Sequence, residues 1–308
     1  MKGLDLSRRF YNEIGRPRFE ERYPEVMRRS AVGLAGEGSD CFGFDDSVSR
    51  DHDWGPGFCL WLGDSDADRY GGELRELYEA LDPAPLGHGL RVTTAEAGER
   101  VGVLRRTQFF SRYLGRATPP QSNMDWLRIP ENCLAVVCNG EVFADPEGEF
   151  TAIRTALMRF YPEDVLRKKL AARLAVMAQA GQYNFPRCLS RNDPVAAGLA
   201  AARFAEAACS AIHLLHGRYA PFYKWMHRSV SELSAMGRSA AEALRRIYDS
   251  RNQHAAMEAV TRVCAEVARE TENRKLGSAP DPFLEDLAKS VQAGIRDPAV
   301  AGLHLLVG

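Results

Sequence analysis

The sequence predicts an α+β protein: a small mixed sheet flanked by helices, followed by an all-helical C-terminal domain. Three observations carry this expectation. A short apolar run ending in glycine, "AVGLAG" at 31–36, is consistent with a buried strand, and "DHDWGPGFCLWL" at 51–62 reads as an extended segment. From about residue 150 the pattern changes, and Val165, Leu166, Leu170, Leu174 and Met177 recur at helical spacing. No strand pattern recurs beyond about residue 145. The chain therefore divides into an α/β part, 1–150, and a helical part, 151–308.

Taken in order, residues 3–30 read as charged helix interrupted by Pro17 and Pro24, and 31–36 as the first strand. A loop runs to about Arg50. Residues 51–62 are extended, broken in the middle by Pro56 and its flanking glycines. Residues 66–81 form a helix closed by Asp82-Pro83, and "GLRVTT" at 89–94 alternates like a strand. The segment 130–148 has two readings. Asn139-Gly140 makes a hairpin turn, or Pro130 opens a short helix that Gly140 closes, with a strand at 141–145. The second is preferred. In the helical part, Pro162-Glu163-Asp164 and Asp193-Pro194 are helix starts. Gly217 is a stop, Pro221 begins a helix running to Gly237, and 239–272 and 281–295 are further helical stretches.

Composition bounds the function. The chain has 308 residues, 45% hydrophobic and 26% charged, which is globular. Forty basic residues against 41 acidic give a net charge of −1, which argues against long nucleic acid as a partner. No run approaches the ~18 continuous apolar residues of a membrane span, and the N-terminus has no signal-peptide core. Seven cysteines without a C-x-x-C pair fit reduced thiols in a cytoplasmic protein.

The chemistry concentrates in "GLAGEGSDCFGFDDSVSRDHDWGP", residues 33–56. Gly38-Ser39 follows the first apolar run. Small residues there let phosphate oxygens approach backbone N–H groups, and the serine hydroxyl adds a donor. After eleven residues comes Asp51-His52-Asp53. On a strand, residues two apart share a face, so Asp51 and Asp53 project together and His52 turns away. Two adjacent carboxylates ionise best around a cation, and oxygen ligands suit Mg²⁺ or Mn²⁺.

A Gly-Ser pair after a strand, then acid-x-acid on the next, resembles the signature of the DNA polymerase β-like nucleotidyltransferase superfamily. The string "GSDCFGFDDSVSRDHDWGP" is similar to an uncharacterised bacterial branch of it. The helical half with "GRYAPFYKW" is similar to the C-terminal helical domains of small-substrate nucleotidyltransferases. The resemblance implies a nucleotidyltransferase-type sheet and a helical domain that closes over substrate and nucleotide. It implies an enzyme that moves a nucleoside monophosphate from a nucleoside triphosphate, ATP in the first instance, to a hydroxyl acceptor, releasing pyrophosphate. Gly38 and Ser39 would contact the triphosphate, and Asp51 and Asp53 would bind Mg²⁺ or Mn²⁺ and serve catalysis. The family's third carboxylate belongs on a later strand. "GLRVTT" offers only threonines there, and Glu96 is the nearest acid.

Other residues are weighed against plainer roles. Lys224 lies in the first turn of a helix, where a cation opposes the helix dipole; in related enzymes a lysine of the helical domain reaches the triphosphate. Tyr219 is a base-stacking candidate whose ordinary fate is core packing. Asp45 and Asp46 read as a solvated acidic loop. Arg187 and Arg191 read as surface arginines, and His213 and His216, three apart on a helix, as structural. The alternatives to nucleotidyl transfer are a nucleotide-binding sensor on the same fold, motivated by the missing third acid, and a metal phosphohydrolase, for which the scattered histidines are too few. The sequence leaves the acceptor open: a small molecule, a protein side chain or an RNA end.

Overall fold

A computed structural model of the chain describes residues 1–50, 54–89, 91, 100–249 and 252–308. The chain groups into two units, Met1–Pro119 with Cys133–Arg159, and Pro120–Asn132 with Phe160–Gly308. The architecture is α+β: a small four-stranded mixed sheet with flanking helices, and a helical C-terminal region.

The first unit is built on strands β1 (Ala31–Leu34), β2 (Cys59–Leu62), β3 (Gly102–Arg105) and β4 (Glu141–Ala144), in the order β3-β2-β1-β4. β1 pairs antiparallel with β2 and β4, and β2 pairs parallel with β3. The "CLWL" run is continuously apolar because both faces of β2 are covered. Leu60 and Leu62 face an aromatic core of Phe10, Tyr11, Phe19 and Phe58. That core draws on α1 (Gly3–Phe10), the π-helical turn Tyr11–Gly15 and α2 (Arg16–Arg22), while α3 (Pro24–Arg29) adds Val26 and Met27, and α4 (Asp64–Glu79) adds Leu74 and Leu77. Trp61 stacks on Phe150 at 4.0 Å and meets Phe109 edge-on at 5.3 Å. These rings come from α5 (Arg106–Leu114) and α8 (Glu149–Met158).

Among the described residues, the strand paired parallel with β2 is Gly102–Arg105, "GVLR", a segment not singled out from the sequence. In "GVLR" Val103 supplies the core contact. Of "GLRVTT", only Gly89 and Arg91 fall within the described residues. The helix reading of 130–140 matches α7 (Glu131–Cys138), followed by β4. Gly140 closes that helix with φ +60°, and a Cβ there would lie 1.8 Å from the Leu34 carbonyl oxygen. Between them, in chain order, the second unit takes α6 (Asn123–Arg128), whose Ser122 cap forms a full capping box with Asp125.

The second unit centres on α9 (Glu163–Met177) and α11 (Pro194–Leu215), with α10 (Phe185–Ser190), α12 (Tyr223–Leu233), α13 (Ala235–Asp249), α14 (Gln253–Asn273), α15 (Leu284–Ala293) and the short α16 (Pro298–Ala301). Asp193 caps α11 by accepting from the Ala196 N–H at 3.0 Å. By length and composition only, α11 is the one helix among the described residues long enough and apolar enough to cross a membrane; here it is a core helix. The helix expected to run from Pro221 to Gly237 breaks at Ser234 instead, because Gly237 packs inside α13, where a Cβ would meet the Val230 carbonyl oxygen at 2.2 Å. His213 and His216 are structural. Each ring accepts at Nε2 from a serine hydroxyl, Ser229 and Ser234, at 2.8 Å, and donates from Nδ1 to the carbonyl one turn back.

Candidate functional site: the loop after the first strand

Gly38 and Ser39 lie in the loop that leaves β1, and three anchors fix its path. At its start, Asn139 imitates a strand partner. Its side-chain oxygen accepts from the Gly36 N–H at 3.1 Å and its amide donates to the Gly36 carbonyl at 2.7 Å. Gly140 N–H then donates to the Cys41 carbonyl at 2.9 Å. Buried Arg154 holds this turn from below through the carbonyls of Cys138 and Asn139.

In the middle of the loop, Asp40 is buried against Arg91 at 3.0 Å, with side chains 1% and 5% exposed. Burial alone would depress the Arg91 guanidinium. The Asp40 carboxylate outweighs this and leaves it above its ordinary value. The second Asp40 oxygen accepts from the Cys41 N–H, and it fills the space where a Gly38 side chain would go: a Cβ there would lie 2.2 Å from it. Glycine at 38 is thus required by packing. At the far end, Asp45 accepts from the Gly3 N–H at the start of α1 and from Trp54 Nε1, with Lys2 beside it. Asp45 is therefore a buried helix anchor, correcting the solvated-loop reading. Burial pushes its carboxyl up, and these three donors bring it below its usual value. Asp46 folds back on the N–H groups of Val48 and Ser49.

Among the described residues, the backbone N–H groups of Gly38, Ser39 and Asp40 have no acceptor, and neither does the Ser39 hydroxyl. A cavity of about 330 Å³ adjoins the start of the loop, lined by Gly36, Glu37, Arg100, Arg105, Arg112 and Tyr113. Glu37 neutralises part of its positive charge, with Arg112 at 3.3 Å and Arg100 at 3.6 Å.

Asp51, Asp53 and Glu96, expected as metal ligands and third acid, lie outside the described residues. Among the described residues, no group of three His, Cys, Asp or Glu side chains gathers where it could hold a metal ion. The two buried carboxylates of the loop, Asp40 and Asp45, are already engaged. β3 itself carries no acid.

In the second unit, Lys224 is exposed in the first turn of α12, its ammonium 5.6 Å from the Trp225 ring. Tyr219 packs between Phe160 at 4.9 Å and Tyr161 at 5.0 Å, which is the core-packing role. Arg187 lies over the Tyr183 ring. Sequence reasoning missed Asp40, Arg91, Asn139 and Arg154. Asp40, next to Gly38-Ser39, was within reach; Arg91 and Arg154 carry no local signal.

Residues 126–226 match a family described as a domain of unknown function (DUF4037). No curated protein matches. Among solved structures, the chain is similar to a nucleotidyltransferase-like protein from Exiguobacterium sibiricum 255-15, at 12% identity over 94% of this chain and 88% of that one, with a TM-score of 0.36. At that level the functional reading has to rest on this chain's own residues.

Proposed function

We propose that the protein is a metal-dependent nucleotidyltransferase. The supporting observation is the run of unsatisfied N–H groups at Gly38, Ser39 and Asp40, in a loop held rigid by the Asp40–Arg91 pair. Backbone donors fixed in advance suit a phosphate tail, because no reorganisation is needed when the anion arrives. The arginine-lined cavity beside Glu37 adds positive charge at the same place.

In this reading Gly38 and Ser39 grip the triphosphate. The hydroxyl oxygen of the acceptor bonds to the α-phosphorus, the bond from that phosphorus to pyrophosphate breaks, and pyrophosphate leaves. Asp51 and Asp53 would hold Mg²⁺ or Mn²⁺, which neutralises phosphate charge when bound. Lys224 is a further candidate for a phosphate contact. Tyr219, whose ring is packed, is the weakest of the set. The acceptor is a hydroxyl on a small molecule, a protein or an RNA end.

The test is Mg²⁺-dependent binding of ATP to the purified chain by calorimetry. Ser39→Ala should weaken it about tenfold, the value of a hydrogen bond to a charged group. Absence of binding to any nucleoside triphosphate would sink the proposal. A second reading, nucleotide binding without transfer, is favoured by the lack of a carboxylate on β3. Labelled ATP incubated with cell extract separates the two: transfer that requires Asp51 excludes the sensor.

A further inference from the structure

The helical unit contains a cavity of its own, and the charges around it do not balance. It measures about 650 Å³, the size of a small-molecule site. Apart from Gly308, every residue lining it falls within the 126–226 segment that matches the family. Its lining includes the apolar Ile129, Val176 and Met226, and the charged Arg128, Glu131, Lys169, Arg173, Arg203 and Glu206.

Arg128, Arg203 and Glu206 are exposed; the other charged residues separate into a closed network and one residue left over. Arg173 donates from Nε to Ser210 Oγ at 2.8 Å, from one terminal nitrogen to Glu131 at 3.1 Å, and from the other to the Gly308 carbonyl at 3.1 Å. Ser210 in turn donates to Glu131 at about 3 Å. The Glu131 carboxylate is thereby neutralised. Lys169 lies one helical turn before Arg173 on α9, and only 3% of it is exposed. Among the described residues its ammonium has no hydrogen-bond acceptor and no carboxylate at ion-pair distance, although Glu131 acts on it from further off; the Tyr161 ring lies at 5.3 Å. Lys168, the adjacent residue, makes the contrast plain. It is fully buried and donates to Gln292 and to the Leu305 carbonyl, both at 3.0 Å.

A buried lysine whose ammonium meets no protein acceptor opens its donors to whatever the cavity beside it holds. A ring face offers part of what a cation needs but accepts no N–H bond in the ordinary sense. The geometry points to a ligand site in the helical unit for a small molecule that carries an oxyanion, carboxylate or phosphate, on an apolar body. The oxyanion accepts from Lys169, and the body lies against Ile129, Val176 and Met226. Burial lowers the Lys169 ammonium from its ordinary value, and a bound anion would raise it again.

This site does not depend on the nucleotidyl-transfer reading, and its test contains neither nucleotide nor metal. Benzoate and phenyl phosphate are titrated into the full chain and followed by ligand-observed NMR and calorimetry. At least one should saturate a single site, and the preference between them assigns the oxyanion as carboxylate or phosphate. Lys169→Met removes the charge and keeps the volume. Val176→Phe fills the apolar side without touching the polar network. Each should weaken binding at least tenfold. Failure of both probes to saturate the wild-type chain, or binding as tight as wild type in either variant, overturns the assignment.

Discussion

The loop after β1 in the first unit and the cavity of the second handle buried charge in opposite ways. Around Gly38 the buried charges shown have partners: Asp40 meets Arg91, Asp45 meets the first turn of α1 and Lys2, and Arg154 meets two carbonyls. Around the cavity, Arg173 is fully used while Lys169 is left without an acceptor. In the first case charge fixes the backbone, and the groups left open are neutral N–H dipoles. In the second the group left open is itself a full charge. A loop that must hold its shape before a ligand comes needs the first arrangement; a pocket that attracts one anion can use the second.

The largest effect should come from breaking the pair that fixes the loop. Asp40→Ala leaves the Arg91 guanidinium buried without its carboxylate, a loss of about 3–5 kcal/mol in urea unfolding. Asp40→Leu combined with Arg91→Met removes both charges and should recover most of that loss, yet leave ATP binding impaired because the loop is no longer held. Full ATP binding in the double variant would mean the pair does not shape the site.

Next come two glycines with similar backbones and different surroundings. Gly140 and Gly217 both have left-handed φ, +60° and +62°, so each charges an alanine for backbone strain. Only at Gly140 does the new Cβ strike another strand, 1.8 Å from the Leu34 oxygen, whereas nothing lies within 4 Å at Gly217. Gly140→Ala should cost about 3 kcal/mol, strain and overpacking together, and Gly217→Ala about 1. Equal losses in thermal unfolding would show that the β1–β4 contact relaxes freely.

How legible this was in the sequence follows the same division. The helix starts at Glu163 and Pro194, the strand at Ala31–Leu34 and the helix that ends before Gly140 were readable because caps, proline, glycine and apolar runs are local signals. β3 went unread because the four residues of "GVLR" carry little periodicity of their own; pairing with β2, whose Leu60 and Trp61 sit opposite Val103 and Leu104, makes it a strand. Gly38 and Ser39 stood out as a motif. The residues that support them lie far off in sequence, Arg91 fifty-one positions from Asp40 and Asn139 one hundred and three from Gly36, and no local pattern marks them. Lys169 was invisible for the converse reason: in "RKKLAARL" nothing distinguishes it from Lys168, and only the packing of other helices does.

A smaller effect tests the far anchor of the loop. Asp45→Asn removes the charge at the α1 N-terminus and should cost about 1 kcal/mol at pH 7. The Asp45 carboxyl sits below its ordinary value in the folded protein. Its contribution is therefore complete above the unfolded value of about 4 and is lost as pH falls through the folded one. Wild type and variant should converge in stability once the pH lies below that folded value. A gap that persists there would assign the loss to shape instead of charge.

The smallest effect has the opposite sign. Lys169→Met exchanges a buried charge without an acceptor for an apolar side chain of similar length, and it should leave stability unchanged or raise it by about 1 kcal/mol at pH 7. Burial lowers the Lys169 ammonium in the folded state; Arg173 adds to that and Glu131 opposes it. The folded chain thus binds this proton less readily than the unfolded one, and wild type gains stability as pH rises through the folded value toward the ordinary lysine value of about 10.4. The variant has no such proton, so its advantage should be greatest at neutral pH and shrink toward pH 10. Unfolding curves at pH 7 and pH 9.5 read this directly. A Lys169→Met chain that is less stable than wild type at pH 7 would mean that the ammonium is satisfied in the free protein, and that the cavity does not wait for an anion.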